Sequence, residues 1–313
     1  MFNYTCMELR RLNKQKSTYV ILLTAVILLF GLTLMLNISL KALGKLENTG
    51  NNSLDKEPVT FEVSLAEKQS SSPLTIEKEK NENPDPEKIF AESLDEHLDG
   101  EPLVKEETGD DLLLHYFSGY SMLIFLIIFA ALFFTAPYQN GFIKNFLGTT
   151  RNRSKFIFAQ FFTGIVFTIL LFVVSVIVLL IAQHIFLADE FPFSDIGGMA
   201  KTLTYQLFAH IAFLSILLFI ATVSGKMSMV LIPSFIYYLI GHKLIFDLLT
   251  MLIKKVADFG DDWHLRTYTV MGSIAQFTGN IETKNLIQPV LVCTIIMMVA
   301  IGASCLTLQR KDI

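Results

Sequence analysis

Long apolar runs alternate with short polar segments along most of the chain. Six runs reach the ~20 residues that an α-helix needs to cross the hydrocarbon core of a bilayer. The pattern predicts an all-α integral membrane protein with six transmembrane helices. The predicted spans are residues 18–40, 112–136, 156–187, 202–223, 228–253 and 286–308.

Composition agrees with this pattern. Of 313 residues, 52% are hydrophobic and only 17% are charged, and the mean hydropathy is +0.51, which argues against an ordinary soluble domain. Basic residues precede the first run and no small-residue cleavage site follows it, so we expect a retained span rather than a signal peptide. The three cysteines, Cys6, Cys293 and Cys305, show no metal-ligand spacing and no disulfide framework, so no metal site is predicted.

Charge divides the chain into three regions. Residues 1–40 are a basic amphipathic segment followed by the first span. Residues 41–111 hold 19 acidic residues against 8 lysines, a formal charge of -11, while the rest of the chain sums to +7. This insert is rich in Ser, Asn, Glu and Pro, so we expect it to be partly disordered. Residues 112–313 form the membrane domain with the other five spans.

The distribution of basic residues predicts the orientation. The loop of residues 137–155 contains four basic residues and no acidic one, and short basic loops stay in the cytosol. In the six-span arrangement, 11 Lys and Arg lie in the inner segments and five in the short outer segments. We therefore expect both termini and the loop to be cytoplasmic, and the acidic insert to be extracellular.

The loop has an internal pattern of its own. Asn140-Gly141 signals a turn, and the next residues place an apolar face opposite Lys144 and Asn145. This predicts a short amphipathic helix at the inner membrane surface, followed by a basic elbow. A connector whose charges only fix topology is the alternative interpretation. The apolar face comprises Phe142, Ile143, Phe146 and Leu147, and the elbow Arg151, Arg153 and Lys155.

Ionisable residues also occur within the predicted spans. Such groups are rare at membrane depth and mark substrate contacts or proton relays, unless they are paired locally or reach the surface. Lys243 and Asp247 are spaced i, i+4, so they can pair on one helix face. The candidate intramembrane polar sites are His210, His242, Lys243 and Asp247.

Enzymatic motifs are weak or missing. Gly119-Tyr120-Ser121-Met122 has the form of an intramembrane serine protease motif, which would pair Ser121 with His210, but the four-residue pattern is very weak and a packing site for small residues is the better interpretation. There is no His-Glu-x-x-His and no phosphate-binding Gly-x-x-x-x-Gly-Lys-Ser/Thr sequence. The chain is therefore not expected to be an enzyme or to carry its own ATPase.

The loop sequence resembles that of a known family. The run Tyr138-x-Asn140-Gly141-x-Ile143-Lys144-Asn145-x-Leu147, then Arg153-Ser154-Lys155, is similar to the first cytoplasmic loop of type-2 ABC transporter permeases. The likeness is to small six-helix bacterial exporter subunits of the drug, bacitracin and lantibiotic export or immunity type. Pro137 and Phe142 depart from that pattern, where an acidic residue and Thr are usual.

The resemblance implies a function and partners. The loop would be the coupling helix that contacts a separate ATPase subunit, and that subunit, not this chain, would bind ATP and Mg. A second permease chain, identical or related, and the lipid bilayer of a bacterial plasma membrane are the other implied partners, with no nucleic acid. The implied ATPase contacts are Asn140, Gly141, Ile143, Lys144, Asn145 and Leu147.

We therefore expect the membrane subunit of an exporter for a peptide, drug or other amphipathic substrate. A non-transporting sensor or immunity protein, which binds a cationic peptide through the acidic insert, is the alternative.

Overall fold

The computed structural model describes residues 2–53, 113–114, 116–117, 121–143, 153–186, 195–256, 263–277 and 283–311. For residues 2, 40–53, 241–243, 256 and 283–285 it describes the main chain alone. Every regular element within these ranges is helical and none is a strand, so the predicted all-α class is confirmed. The α-helices are α1 (Phe2–Lys14), α2 (Lys16–Ser53), α3 (Ser121–Gln139), α4 (Ser154–Phe186), α5 (Ile196–Ser224), α6 (Met227–Ile236), α7 (His242–Val256), α8 (Val270–Gln276) and α9 (Thr283–Arg310).

Among the described residues, five helices are long and apolar enough to span a membrane. They are the first part of α2 (Lys16–Ser39), α3, α4, α5 and α9, and α6 with α7 makes a sixth candidate if this bent pair counts as one span. The fold is thus consistent with a multi-pass membrane protein. Each of the five overlaps a predicted span.

The predicted fifth span, residues 228–253, corresponds to this bent pair rather than to one straight helix. A π-helical turn, Tyr237–Gly241, separates α6 from α7, and the two parts of this pair meet at 65°. Pro233 lies inside α6 and has no N–H to donate to the carbonyl four residues earlier, so the regular ladder is already broken before the turn. The N–H of Tyr237 is shared between the carbonyls of Pro233 and Ser234, which accompanies the change of helical pitch.

The membrane helices belong to one compact unit, formed by Met1–Ile38 and Thr108–Ile313, and Ser39–Glu107 form a second unit. The described part of the second unit is the end of α2. The acidic insert beyond Ser53, for which partial disorder and an extracellular position are predicted, lies outside the described residues.

Within the first unit, α5 is the central helix and packs against α3, α4, α6, α8 and α9. Aromatic side chains fill the space between α3 and α4, where Phe129 stacks on Phe167 with ring centroids 3.7 Å apart. Hydroxyl side chains within these helices donate to carbonyls one turn earlier, as Thr163 does to Ala159 at 2.9 Å and Thr222 to Leu218 at 2.8 Å. Such bonds satisfy polar groups without water and allow Thr and Ser in apolar helices.

Candidate functional site

The first end of the predicted coupling loop is a glycine turn. α3 contains Pro137 and ends at Gln139, and the N–H of Asn140 still donates to the carbonyl of Ala136 at 3.0 Å. Gly141 follows with φ of +67°, in the left-handed region that residues with a side chain rarely adopt. The turn at Asn140-Gly141 is therefore present as predicted, and it redirects the chain away from α3.

The residues just after the turn differ in exposure. Ile143 is only 2% exposed and belongs to the core, whereas Phe142 is 38% exposed. The buried Ile143 anchors the beginning of the loop to the bundle. Residues 144–152 lie outside the described residues, and with them the predicted contacts Lys144, Asn145 and Leu147 and the predicted elbow residue Arg151.

The second end of the loop is fixed to the end of α9. Arg153 precedes α4, and its Nη1 donates to the main-chain oxygens of Leu308, Gln309 and Lys311 at 3.4, 3.3 and 3.0 Å. The last carbonyls of a helix have no partner within the helix and carry partial negative charge, so a guanidinium stabilises them. Gln309 adds a bond from its Nε2 to Ser154 Oγ at 2.9 Å, while Lys155 is exposed.

The residue after α9 joins two further helix ends. Lys311 Nζ donates to the carbonyls of Thr222 and Val223, in the last turn of α5, at 3.1 and 3.2 Å. The same ammonium lies 5.2 Å from the ring centroid of Tyr138, at the end of α3, within the range of a cation–π contact. Burial lowers the pKa of Lys311, and these acceptors stabilise its charged form.

The ends of α5 and α3 also approach each other closely. Gly225 ends α5 in the left-handed region, with φ of +63°, and its N–H donates to the carbonyl of Ala221 at 2.8 Å. A Cβ built on Gly225 would lie 3.3 Å from the Cβ of Tyr138. The turn at Gly225 thus packs against the last turn of the helix that leads into the loop.

The N-terminal helix contacts α3 just before the loop. Arg11 Nη2 donates to the main-chain oxygen of Phe133 at 2.9 Å, and the guanidinium carbon lies 4.1 Å from the centroid of the Phe133 ring. Glu8 is 1% exposed and faces Arg11 with both oxygens, at 3.2 Å from Nη1 and 2.9 Å from Nη2. Burial raises the pKa of the Glu8 carboxyl to about 7, although Arg11 opposes the shift, and burial lowers the pKa of Arg11.

Of the four candidate intramembrane residues, the structure describes the side chains of His210 and Asp247. His210 is fully buried in α5, where its Nδ1 bonds to the Gln206 carbonyl at 2.7 Å. Within the described part of the chain, no hydrogen bond joins His210 to Ser121, so the dyad of a serine protease is not formed. Asp247 lies 3.9 Å from Arg266, in the 3-10 turn Leu265–Tyr268. The side chains of His242 and Lys243 lie outside the described residues.

Sequence reasoning did not single out Arg11 and Lys311. One signal was available for Arg11. Pro137 removes the donor for the Phe133 carbonyl, so a polar partner from elsewhere was needed. No comparable signal marks Lys311, because its partners are ordinary helix-end carbonyls whose position depends on tertiary packing.

Known protein families and curated proteins were compared with this chain, and neither the family models nor the curated proteins match it.

Proposed function

We propose that this chain is the membrane-spanning permease subunit of an ABC exporter, which moves a peptide, drug or other amphipathic substrate out of a bacterial cell. A separate ATPase subunit binds ATP and Mg and contacts the loop of residues 137–155. Two permease chains together line the pathway. Both termini and the loop are cytoplasmic.

The observation that carries this proposal is the fixation of both loop ends to the other helices. Tyr138, at the end of α3, contacts Lys311 and packs against Gly225, which ends α5. Arg153, at the beginning of α4, binds the end of α9. The ends of α3, α4, α5 and α9 are therefore joined by side chains at the two points where the loop begins and ends.

This arrangement suits the transmission of force. A loop that only connects two spans needs no bonds to the ends of two other helices. A partner that moves this loop would displace α3 and α4 directly, and would displace α5 and α9 through Lys311 and Arg153. Rigid-body movement of packed helices is a common way to convert a local change into alternating access.

The loop sequence is the reason for proposing an ABC ATPase as the partner. Asn140 and Gly141 lie at the first end, and Lys144 and Asn145 follow after two intervening residues. This order resembles the coupling loop of type-2 ABC permeases. The chain lacks a phosphate-binding loop motif of its own. An external ATPase therefore provides the energy.

The test is affinity purification of the chain from its native membranes, with and without the combined substitution of Asn140, Gly141 and Lys144 by Ala. We expect an ABC ATPase subunit to co-purify with the wild type and to be lost from the triple variant. ATP-driven transport in vesicles should be lost with it. The variant should still insert and elute as a single species in size-exclusion chromatography.

Arg310→Gln is a suitable control, because it removes an exposed charge at the end of α9 near the Arg153 contacts and should leave co-purification unchanged. The proposal would be abandoned if no ABC ATPase accompanied the wild type, or if the triple variant retained its ATPase and its transport. Binding of a cationic peptide without any ATPase would favour the sensor instead.

A further inference from the structure

Two buried hydrogen-bond acceptors in the centre of α5 have no donor among the residues that the structure describes. The Nδ1 of His210 lies 2.7 Å from the main-chain oxygen of Gln206. A carbonyl oxygen can only accept, so Nδ1 carries the proton and Nε2 presents a lone pair. That Nε2 is buried and, among the residues the structure describes, has no partner.

Gln206 lies one turn earlier on the same helix and provides the second acceptor. Its Nε2 donates to the main-chain oxygens of Phe277 and Leu114 at 2.6 and 3.4 Å. These bonds fix the side-chain amide, which leaves Oε1 buried and, within the described ranges, unpaired. Both side chains are fully buried.

An apolar groove shares one aromatic ring, Phe172, with the surroundings of His210. The groove, between α4 and α5, has a volume of about 230 Å³. Phe172 lines it, and the same ring packs edge-on against His210 with centroids 5.2 Å apart. Ile169 and Val173, which also line the groove, are 42% and 50% exposed on the apolar surface of α4. The other lining residues are Val176, Ile177, Leu203, Thr204 and Leu207.

We propose that the groove and the two acceptors form a binding site for an uncharged amphiphile with a hydroxyl-bearing head. Its alkyl chain lies in the groove, and its head passes Phe172 and donates to His210 Nε2 and Gln206 Oε1. This site is separate from the loop contact, and binding to the purified chain requires no ATPase.

The chemistry of the acceptors selects this class of ligand. Buried acceptors are almost always paired, and each unpaired one costs free energy that a donor recovers. The two acceptors are neutral, and Glu8 is the only buried acidic side chain among the described residues, where it pairs with Arg11. A cation would therefore lose its hydration without gaining a counter-charge, whereas a head with two hydroxyls can donate to both acceptors.

The probe is dodecane-1,2-diol with a diazirine in its alkyl chain, added to the purified full chain in lipid nanodiscs. Light-induced crosslinks are mapped by mass spectrometry, and dodecane-1,2-diol competes, with its dimethyl ether as the comparison. We expect crosslinks within residues 169–177 and 203–207, competed by the diol but not by the ether, which has no donor.

Two variants with opposite expected effects keep the test independent of folding defects. His210→Leu should lower the specific crosslink yield by roughly fivefold, as expected for the loss of one hydrogen bond. Phe172→Ala should raise the yield, because it opens the wall between the groove and the acceptors. Thr163→Val is the control outside the groove, in the same helix as Phe172; its hydroxyl is already bonded to Ala159 at 2.9 Å, and the crosslink yield should not change.

The inference would be overturned by absent crosslinks at the groove, by equal competition from the ether, or by a wild-type yield in His210→Leu.

Discussion

Arg11 donates a hydrogen bond to the main-chain oxygen of Phe133, with 2.9 Å between Nη2 and the oxygen. In a regular helix this oxygen would accept from the N–H of the residue four positions later. That residue is Pro137, which has no N–H. Arg11 thus supplies from α1 the donor that α3 lacks, one turn before the loop begins.

The first prediction is an energetic coupling between Arg11 and Pro137. Arg11→Gln should destabilise the protein, because it removes a charged donor, whose bond is worth about 1.5–3 kcal/mol, and leaves Glu8 buried without a cation. In a Pro137→Ala background the new N–H can donate to the main-chain oxygen of Phe133, so Arg11→Gln should destabilise the protein less. The measurement is thermal unfolding in detergent of the wild type, both single variants and the double variant.

The four proteins form a double-mutant cycle. The free-energy cost of leaving Glu8 without its cation is the same in both backgrounds, so it cancels from the coupling free energy. A coupling free energy of roughly 1 kcal/mol or more is expected if Arg11 replaces the missing helical donor. Strictly additive effects would show that the bond to Phe133 contributes nothing to stability.

The second prediction concerns pH. Burial raises the pKa of Glu8 from 4.5 to about 7, so between these values the folded protein retains a proton that the unfolded chain releases. Raising the pH through this window therefore lowers the free energy of unfolding, by roughly 3 kcal/mol in total, with no effect below the window and no further change above it. Glu8→Gln cannot ionise and keeps the shape of the side chain. The difference in Tm between the wild type and this variant should fall from pH 4.5 to 7.5, and a constant difference would contradict the prediction.

The pattern of apolar runs was sufficient to predict most of the helices, because a span needs little more than length and hydrophobicity. The bend within residues 228–253 was not predicted, because apolar residues continue through the π turn after Pro233. The glycine turns at Gly141 and Gly225 were predictable, since local sequence decides them. The contacts of Arg153 and Lys311 were not, because each depends on which helix ends packing brings together.

The third prediction compares two glycines. A Cβ on Gly164, in α4, would lie 2.8 Å from a methyl carbon of Leu214 and 2.9 Å from the Phe134 ring, whereas a Cβ on Gly302, in α9, would meet nothing within 4 Å. Replacing Gly by Ala within a helix gains roughly 0.5–1 kcal/mol when there is space, and overpacking costs about 1–3 kcal/mol. Gly302→Ala should therefore raise the Tm and Gly164→Ala should lower it. Equal shifts for the two variants would show that α4 does not pack this closely against α3 and α5.

The final prediction concerns the inclination of α7. The part of the broken span before the bend, Met227–Ile240, is ~21 Å long at the rise of an α-helix, shorter than the ~30 Å core of a bilayer. Leu244, Leu248 and Leu252 follow at intervals of one turn, with exposed fractions of 62%, 56% and 53%. They continue the apolar surface of α6, and Lys254 and Lys255 end the helix, as expected at the headgroup region.

These residues make the inclination measurable. Over eight residues a helix rises ~12 Å, but a helix at 65° to a partner that crosses along the membrane normal changes depth by only ~5 Å. Single tryptophans at Leu244, Leu248 and Leu252, in a Trp263→Phe background, can be located by quenching with lipids brominated at different depths. Because Trp263 is the only tryptophan of the chain, that background is free of other signals.

A matched series of single-tryptophan variants in α9 provides the reference for the change in depth along a membrane-spanning helix. Leu291, Ile295 and Val299 have the same spacing, and each is more than half exposed. We expect the tryptophan depth to change less than half as much along α7 as along α9, because α7 lies close to the plane of one leaflet while α9 crosses both. Equal changes in the two series would show that residues 228–253 cross the bilayer as one span, and that Asp247 lies at membrane depth rather than near the surface with Arg266.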